Sequence, residues 1–206
     1  MITKEKLIEL NLLYKEAKPS DIIKKAFEFS HEAVVTTNFR PYEVAILHAV
    51  NLVKSNVDVV WCDTGYNTPQ TYRHANEVIE KLQLIVSLYV PQQTAAYRDV
   101  LMGIPNVDNP KHALFTEQVK LEPFRRAMEI HKPKVWFTNL RKGQTAFRDS
   151  IGIFSISKDG VLKVSPFYYW SDTDLDAYLE EHKLPNEFKY FDPTKALENR
   201  ECGLHS

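Results

Sequence analysis

Cys202, one of two cysteines in the 206-residue chain, lies in the polar segment NRECGLHS (199–206). The thiolate is the nucleophilic form of cysteine, and nearby cations such as Arg200 and a protonated His205 favour it. The segment therefore predicts either a thiol in a frayed end of the chain or a nucleophile on a movable arm. The residues around Cys202 do not by themselves decide between the two.

A second group of reactive side chains lies in LRKGQTAFR (140–148), which holds three cations, a glutamine and a threonine within nine residues. Charged runs are commonly solvated surfaces. This run, however, directly follows a predicted strand, where side chains converge on a pocket. Arginine contacts phosphate or sulfate oxygens in a bidentate manner. The segment therefore predicts an anion-binding loop.

Two more polar loops follow predicted strands. TTNFRP (36–41) lacks the glycines and the Lys-Ser/Thr pair of a Walker loop, but it offers small donors at a helix start, where N–H groups favour anions. CDTGYNTP (62–69) combines an acidic strand end, a glycine turn and a proline that opens a helix. Each loop is either an ordinary turn or one wall of a nucleotide pocket. Cys62 itself lies in an apolar strand and is expected to be structural.

Strands and helices alternate along the chain. Strands are predicted at 33–37, 57–63, 84–90 and 134–139, with a hairpin around Asp159-Gly160. Helices are predicted at 3–16, 20–30 with Ser20 as N-cap, Pro41 to about Lys54, Pro69 to about Leu82, 93–101, 117–131, and from a Ser171 cap to about His182. This order predicts an α/β fold with a mostly parallel, doubly wound sheet. Ligands bind such sheets beyond the carboxyl ends of the strands.

The composition, with 44% hydrophobic residues and a formal net charge of -1, predicts one folded domain over 1–206 and argues against a nucleic-acid partner. Residues 120–148 carry eight Lys or Arg against two Glu, which favours a specific anionic ligand. Two cysteines provide neither a disulfide framework nor a metal site. The sequence shows neither a signal peptide nor an apolar run long enough for a membrane, so a cytoplasmic protein is expected.

Several segments, taken in order, resemble the phosphoadenylyl sulfate (PAPS) reductases: DTGY-x2-P-x-TY, KLEPFRRAM, VWFTNLRKGQTAFR, KVSPFYYW and the terminal ECGLH. The resemblance covers roughly residues 30–182 and the last six. It implies an adenine nucleotide α-hydrolase-like fold, with N-terminal helices over 1–30 and a mobile catalytic tail over 196–206.

This resemblance also implies a reaction. Cys202 would attack the sulfur of 3′-phosphoadenylyl sulfate to give a Cys S-sulfonate, with His205 tuning the thiol. Reduced thioredoxin or glutaredoxin would then release sulfite. Related adenylyl sulfate reductases hold a four-iron cluster with a Cys-Cys pair and a CxxC, which this sequence lacks, so the resemblance implies a cluster-free enzyme without a bound cofactor or metal. A homodimer is expected by family analogy.

Substrate-binding positions follow from the same resemblance. Thr36, Thr37, Asn38 and Phe39 match the modified phosphate loop, Asp63, Thr64 and Gly65 match the strand-end motif, and Arg141, Lys142, Gln144 and Arg148 would hold the phosphosulfate.

Two features depart from the family pattern. Arg40-Pro41 stands where the family has glycine after Phe, and KYFDPTKALEN (189–199) replaces a longer stretch. A cluster-free adenylyl sulfate reductase therefore remains an alternative, as does an ATP-pyrophosphatase-like adenylyltransferase or nucleotide-binding protein. The tail separates these hypotheses, because an adenylyltransferase has no use for Cys202.

Overall fold

The structure, a computed structural model, describes residues 2–195. Its six strands are β1 (Ala33–Thr37), β2 (Asp58–Cys62), β3 (Val86–Tyr89), β4 (Val135–Phe137), β5 (Phe154–Ile156) and β6 (Leu162–Val164). Its helices are α1 (Lys4–Leu13), α2 (Pro19–Phe29), α3 (Glu43–Val53), α4 (Pro69–Leu82), α5 (Ala95–Leu101), α6 (Lys111–Thr116), α7 (Glu122–His131) and α8 (Asp172–Glu181). A π-helix covers Glu117–Leu121 and a 3₁₀ turn covers Arg148–Ser150.

The strands form one sheet in the order β3-β2-β1-β4-β6-β5. All neighbouring pairs are parallel except β5 with β6, the predicted hairpin. Thr37 pairs with Trp61, and Val35 pairs with Phe137. The carboxyl ends of β1, β2 and β4 therefore meet at one edge of the sheet, which confirms the predicted fold class.

Alternate side chains of the strands enter two cores. Val35, Val59 and Phe137 belong to the larger core, together with residues of α2, α3, α4 and α8. Val34 and Trp136 belong to a smaller core that contains Ala127 of α7. Because side chains of a strand alternate between faces, β-branched runs buried on both sides produce this doubly wound arrangement.

The predicted elements agree with the structure at several boundaries. Strand 33–37 and helix 69–82 have the predicted limits, and Ser171 caps α8 through a capping box with Asp174. The predicted Ser20 cap was wrong. Lys18 precedes the helix, and Pro19 occupies its first turn, where a missing N–H costs nothing.

The segment 117–131, predicted as one helix, is a π-helix followed by α7, and α6 was not predicted. Pro123 accounts for the break, because proline cannot donate to the carbonyl four residues earlier and its ring crowds that carbonyl. The N–H of Glu122 instead reaches the carbonyl of Glu117, five residues back. This wider turn carries the buried Lys120.

The described residues contain no helix that is both long and apolar enough to span a bilayer. Within residues 2–195, no three His, Cys, Asp or Glu side chains are grouped so that they would hold a metal ion.

Candidate active site

A cleft of about 670 Å³, counting its open mouth, lies at the carboxyl edge of β1, β2 and β4. Four cations and two carboxylates are among the side chains that line it: Arg40, Lys120, Arg148, Lys195, Glu43 and Asp192. The cations exceed the carboxylates by two charges. This edge is where a doubly wound sheet binds its ligand, and the charge favours an anion.

The loop after β1 directs its donors toward the chain's own carboxylate. Glu43 Oε2 accepts from Thr37 Oγ1 at 2.9 Å and from the backbone N–H of Asn38 at 2.7 Å. Glu43 is only 5% exposed and is the first residue of α3. The predicted anion-binding position at this helix start is therefore occupied by a carboxylate of the same chain.

The other members of this loop differ in their placement. Thr36 and Asn38 line the cleft, and Thr36 Oγ1 accepts from the indole N–H of Trp136 at 2.9 Å. Phe39, predicted to contact substrate, is 1% exposed and packs edge-on against Trp61, with ring centroids 4.9 Å apart. Phe39 also has a φ of 51°, a left-handed conformation. The structure therefore places Phe39 in the core rather than in the cleft.

Arg40 stands where the family pattern has glycine, and its side chain lies in the cleft. Its Nε donates to Glu43 Oε1 at 2.7 Å, and its Nη2 reaches the carbonyl of Asn139 at 3.4 Å. Glu43 thus uses one oxygen to hold Arg40 and the other to hold the loop. The Arg40 guanidinium is therefore fixed at the opening of the cleft. The Thr37 hydroxyl and the Asn38 N–H are already hydrogen-bonded to Glu43.

Arg148 is the one member of the predicted set in 140–148 that the structure brings to the cleft, where it is 4% exposed. Its guanidinium donates to Gln144 Oε1, which also accepts from the Arg141 backbone N–H at 3.2 Å. Tyr168 Oη donates to the Arg148 carbonyl at 2.6 Å. Gln144 and Tyr168 therefore orient Arg148. The Gln144 side chain holds the Arg148 guanidinium but does not itself line the cleft.

Arg141 and Lys142 point elsewhere. Arg141 pairs with Asp172 at 2.6 Å and lies over the Tyr42 ring, 5.5 Å from its centroid. Lys142 is exposed and lies 5.9 Å from the centroid of Tyr169. Neither side chain lines the cleft.

Asp63, Thr64 and Gly65 form the turn between β2 and α4. Asp63 is 8% exposed, and its Oδ1 accepts from the Gly65 N–H at 2.9 Å and from Asn67 Nδ2 at 2.8 Å. The Tyr72 hydroxyl also donates to Asp63, at 3.1 Å. Burial, then the Asp63 charge, raises the pKa of Tyr72 to about 12, so this donor stays protonated. The turn lies at the same sheet edge, but the Asp63 carboxylate is already hydrogen-bonded to donors of the turn itself and to Tyr72.

Lys120 and Asp192 were absent from the predicted set. Lys120, on the π-helix, is 3% exposed, and its Nζ donates to Asp192 Oδ2 at 2.5 Å. Burial by itself would raise the pKa of Asp192, but Lys120 and Thr194 outweigh it and hold the pKa below its ordinary value. In the sequence, Lys120 stands out only as part of the segment KLEPFRRAM. That segment does not indicate that Lys120 pairs with a residue 72 positions further along the chain.

The structure describes only one of the two cysteines, Cys62. Cys62 lines the cleft at 6% exposure, and burial raises the pKa of its thiol to about 12, so it is neutral and a poor nucleophile. Its predicted structural role agrees with this burial. Cys202 and His205, the predicted catalytic residues, lie outside the described residues.

Comparison with known proteins gives concordant matches. Residues 32–191 match the family model described as phosphoadenosine phosphosulfate reductase domain. A phosphoadenosine 5′-phosphosulfate reductase of Vibrio atlanticus is 30% identical over 200 residues, which cover 84% of this chain and 75% of the relative. The enzyme of that name from Enterobacter sp. (strain 638) is 28% identical over 202 residues, 84% of this chain and 80% of the relative.

Solved structures agree on the fold. A phosphoadenylyl-sulfate reductase from Candida auris in a phosphate complex has a TM-score of 0.79 at 23% identity and covers 90% of both chains. Candida glabrata FMN adenylyltransferase in complex with ATP has a TM-score of 0.56 at 11% identity, covering 79% of this chain and 52% of that one. These likenesses confirm the predicted adenine nucleotide α-hydrolase-like fold.

Proposed function

Because the chain belongs to the phosphoadenosine phosphosulfate reductase family, we propose that it reduces 3′-phosphoadenylyl sulfate to sulfite and adenosine 3′,5′-bisphosphate. The single observation that supports this most is the cleft at the sheet edge, where four cations face two carboxylates. The substrate is a small polyanion, so a cleft with excess positive charge suits it. The same nucleotide without the 3′-phosphate is the alternative substrate.

The proposed first step transfers a sulfonate group. The Cys202 thiolate attacks the sulfur of the phosphosulfate, and a new S–S bond forms. The bond between that sulfur and the bridging oxygen breaks, and the nucleotide leaves with that oxygen and the electron pair on its phosphate. The product is Cys202 bearing an S-sulfonate.

The second step needs an external dithiol protein such as thioredoxin or glutaredoxin. One of its thiolates attacks the Cys202 sulfur, which releases sulfite and leaves a mixed disulfide. Its second thiolate then attacks the mixed disulfide, so the dithiol is oxidised and the Cys202 thiol is restored. A bound cofactor is not required by this sequence of steps.

The described residues contribute positioning and charge. Because the phosphate is already a good leaving group, the protein mainly holds the two reacting atoms together and neutralises the departing charge. Arg148, oriented by Gln144, and Lys120 are the buried cations suited to the phosphosulfate. Arg40, held by Glu43, is suited to a further phosphate oxygen at the mouth.

Sulfite release with and without reduced thioredoxin tests this function. The full chain should release sulfite from 3′-phosphoadenylyl sulfate only when the dithiol is present. Cys202→Ser should release none and still bind the nucleotide product, as measured by calorimetry. Sulfite release by Cys202→Ser at the unmodified rate would show that the nucleophile is wrong.

A further inference from the structure

The chain that follows β3 forms one wall of a second cavity. This cavity measures about 460 Å³, counting its open mouth, and three glutamines, two glutamates and one arginine line it: Gln92, Gln93, Gln118, Glu117, Glu122 and Arg98. None of these residues lines the cleft. The π-helix contributes to both spaces, because Lys120 lines the cleft whereas Glu117 and Gln118 line the cavity. The cavity is therefore separate from the site described above.

Arg98, on α5, lies in the wall of this cavity with 0% of its surface exposed. Its Nε donates to Gln118 Oε1 at 3.1 Å, and its Nη2 donates to the backbone carbonyl of Gln93 at 2.9 Å. The guanidinium carbon lies 5.9 Å from the centroid of the Tyr66 ring. All three partners are uncharged, and none of the arginine ion pairs found within residues 2–195 includes Arg98. Arg98 is therefore a buried cation without a counter-charge among the described residues.

Two buried polar atoms of the cavity wall have no hydrogen-bond partner. One is Nη1 of Arg98, and the other is Oε1 of Gln93. Buried polar groups are almost always hydrogen-bonded, and a buried charge without a counter-ion is especially unfavourable, so such atoms indicate a bound ion or molecule. Because no hydrogen bond within the described residues fixes the Gln93 amide, its NH₂ group and its oxygen can exchange places by rotation. Both side chains can then donate to one bound group.

The two glutamates of the wall do not supply the missing negative charge. Glu117 pairs with Arg125, and Glu122 pairs with Arg126 at 2.8 Å. The hydrogen bond from its arginine is the main cause that lowers the pKa of each carboxyl group, so both are ionised at neutral pH. Neither arginine lines the cavity, yet each balances its glutamate. The positive charge of Arg98 is therefore the one that remains unbalanced in the described wall.

This charge balance favours a ligand with one negative charge. A carboxylate fits, because it accepts charge-assisted hydrogen bonds from a guanidinium and has two oxygens to receive them. A dianion such as sulfate fits less well, because its second charge would lie close to Glu117 and Glu122 and would be repelled.

We propose that this cavity binds a small organic carboxylate, which pairs with Nη1 of Arg98 and accepts a further hydrogen bond from the Gln93 amide. The site goes beyond the proposed function, because it shares no lining residue with the cleft. Its test therefore has an outcome whether or not the chain reduces a sulfonucleotide.

Calorimetry of the full chain with acetate tests the proposal, with chloride keeping the ionic strength constant. Gln118→Glu is the decisive variant, because Gln118 Oε1 already accepts from Arg98 Nε, and a carboxylate there supplies the counter-charge from within the chain. We expect one acetate to bind in the cavity of the unmodified chain. Its affinity should fall about 10- to 150-fold in Gln118→Glu, the range for loss of a charge-assisted hydrogen bond. Arg148→Ala, which changes the cleft instead, should leave this binding event unchanged.

The stability of the same variant gives a readout that needs no ligand. A new ion pair with Arg98 should raise the unfolding temperature of Gln118→Glu by about 2–4 °C in the absence of acetate. Acetate should raise the unfolding temperature of the unmodified chain and not that of the variant. Gln92→Glu is the matched control, because it adds the same charge at an exposed residue of the wall, and it should not raise the unfolding temperature.

Three results would overturn the inference. Acetate binding of equal strength in Gln118→Glu would show that Arg98 does not hold it, and its loss in Arg148→Ala alone would place it in the cleft. An unmodified chain that binds no acetate, with Gln118→Glu no more stable, would show that the uncharged partners of Arg98 suffice. Arg98→Met, which removes the guanidinium, should bind no acetate in the cavity, and it keeps the test decisive if Gln118→Glu folds poorly.

Discussion

Two ion pairs lie in the same cleft but differ in how far apart their members are along the chain. Arg40 and Glu43 are three residues apart, one in the β1–α3 loop and the other at the first position of α3. Lys120 and Asp192 are 72 residues apart and join the π-helix to the segment that follows α8. The local pair joins near neighbours in the sequence, whereas the distant pair requires the π-helix and the segment after α8 to come together in the folded domain.

The two pairs also differ in what the carboxylate does. Glu43 satisfies the donors of the β1–α3 loop and presents Arg40 at the mouth of the cleft. Asp192 closes a turn with Thr194 and holds the buried ammonium group of Lys120. Each of the two carboxylates in this cleft therefore has a structural role, and substitutions should separate the two roles.

The largest effect is expected from Lys120→Met, which breaks the distant pair and leaves Asp192 buried without its cation. Such a change costs about 3–5 kcal/mol in the free energy of unfolding at neutral pH. Urea unfolding followed by circular dichroism measures it. Lys6→Met, which breaks the exposed pair with Glu9, is the control and should stay within about 0.5 kcal/mol. A loss as small as that of the control would show that the distant pair does not stabilise the folded chain.

Arg148→Ala should have the next largest effect, on binding rather than on folding. Loss of a charge-assisted contact to the nucleotide corresponds to about 1.5–3 kcal/mol, or roughly 10- to 150-fold in the dissociation constant. Arg141→Ala is the matched control, because its guanidinium pairs with Asp172 outside the cleft, and it should change the constant less than about threefold. Equal effects of the two variants in calorimetry would contradict the placement of the site.

Glu43→Gln breaks the local pair while keeping one acceptor oxygen. One buried donor of the loop then faces an amide nitrogen, which costs about 1–3 kcal/mol of stability. Nucleotide affinity should be maintained or rise, because a negative charge leaves the cleft. Urea unfolding and calorimetry on the same preparation measure both quantities. A tenfold loss of affinity would mean that Glu43 itself is needed to hold the substrate.

Low pH should produce the smallest effect on stability, and this effect should come from the distant pair. The pKa of Asp192 is lower in the folded chain than in the unfolded one, so its contribution to stability is present above the unfolded pKa. It is lost as the pH falls through the lower, folded pKa. Stability of Asp192→Asn should therefore depend less on pH below about 4 than that of the unmodified chain. Identical slopes in acid unfolding curves would argue against the pair.

The sequence predicted the parts of the fold that local chemistry decides. The β-branched run at 33–37 predicted β1, and Pro69 predicted the start of α4. Gly160, with a φ of 79°, permitted the turn between β5 and β6. Each of these signals lies within a few residues of the element that it predicts.

The sequence predicted the site less completely. Some contacts of the site join residues that are far apart in the sequence, and in others a carboxylate of the chain accepts from donors that were expected to bind an anion. Residues 36–38 and Arg148 line the cleft, yet Thr37 and Asn38 donate to Glu43, a carboxylate that the pattern did not mark as a competitor. The π-turn that carries Lys120 follows from Pro123, and its pairing with Asp192 requires the folded domain. A sequence pattern shows which side chains are available but not which of them satisfy one another.

The most direct test of the central claim is mass spectrometry of the full chain mixed with each sulfonucleotide in the absence of reductant. We predict that 3′-phosphoadenylyl sulfate adds one sulfonate to the peptide that contains Cys202 and leaves the Cys62 peptide unchanged. If neither sulfonucleotide adds a sulfonate to Cys202, while both bind, the account of this protein as a thiol-dependent sulfonucleotide reductase is contradicted.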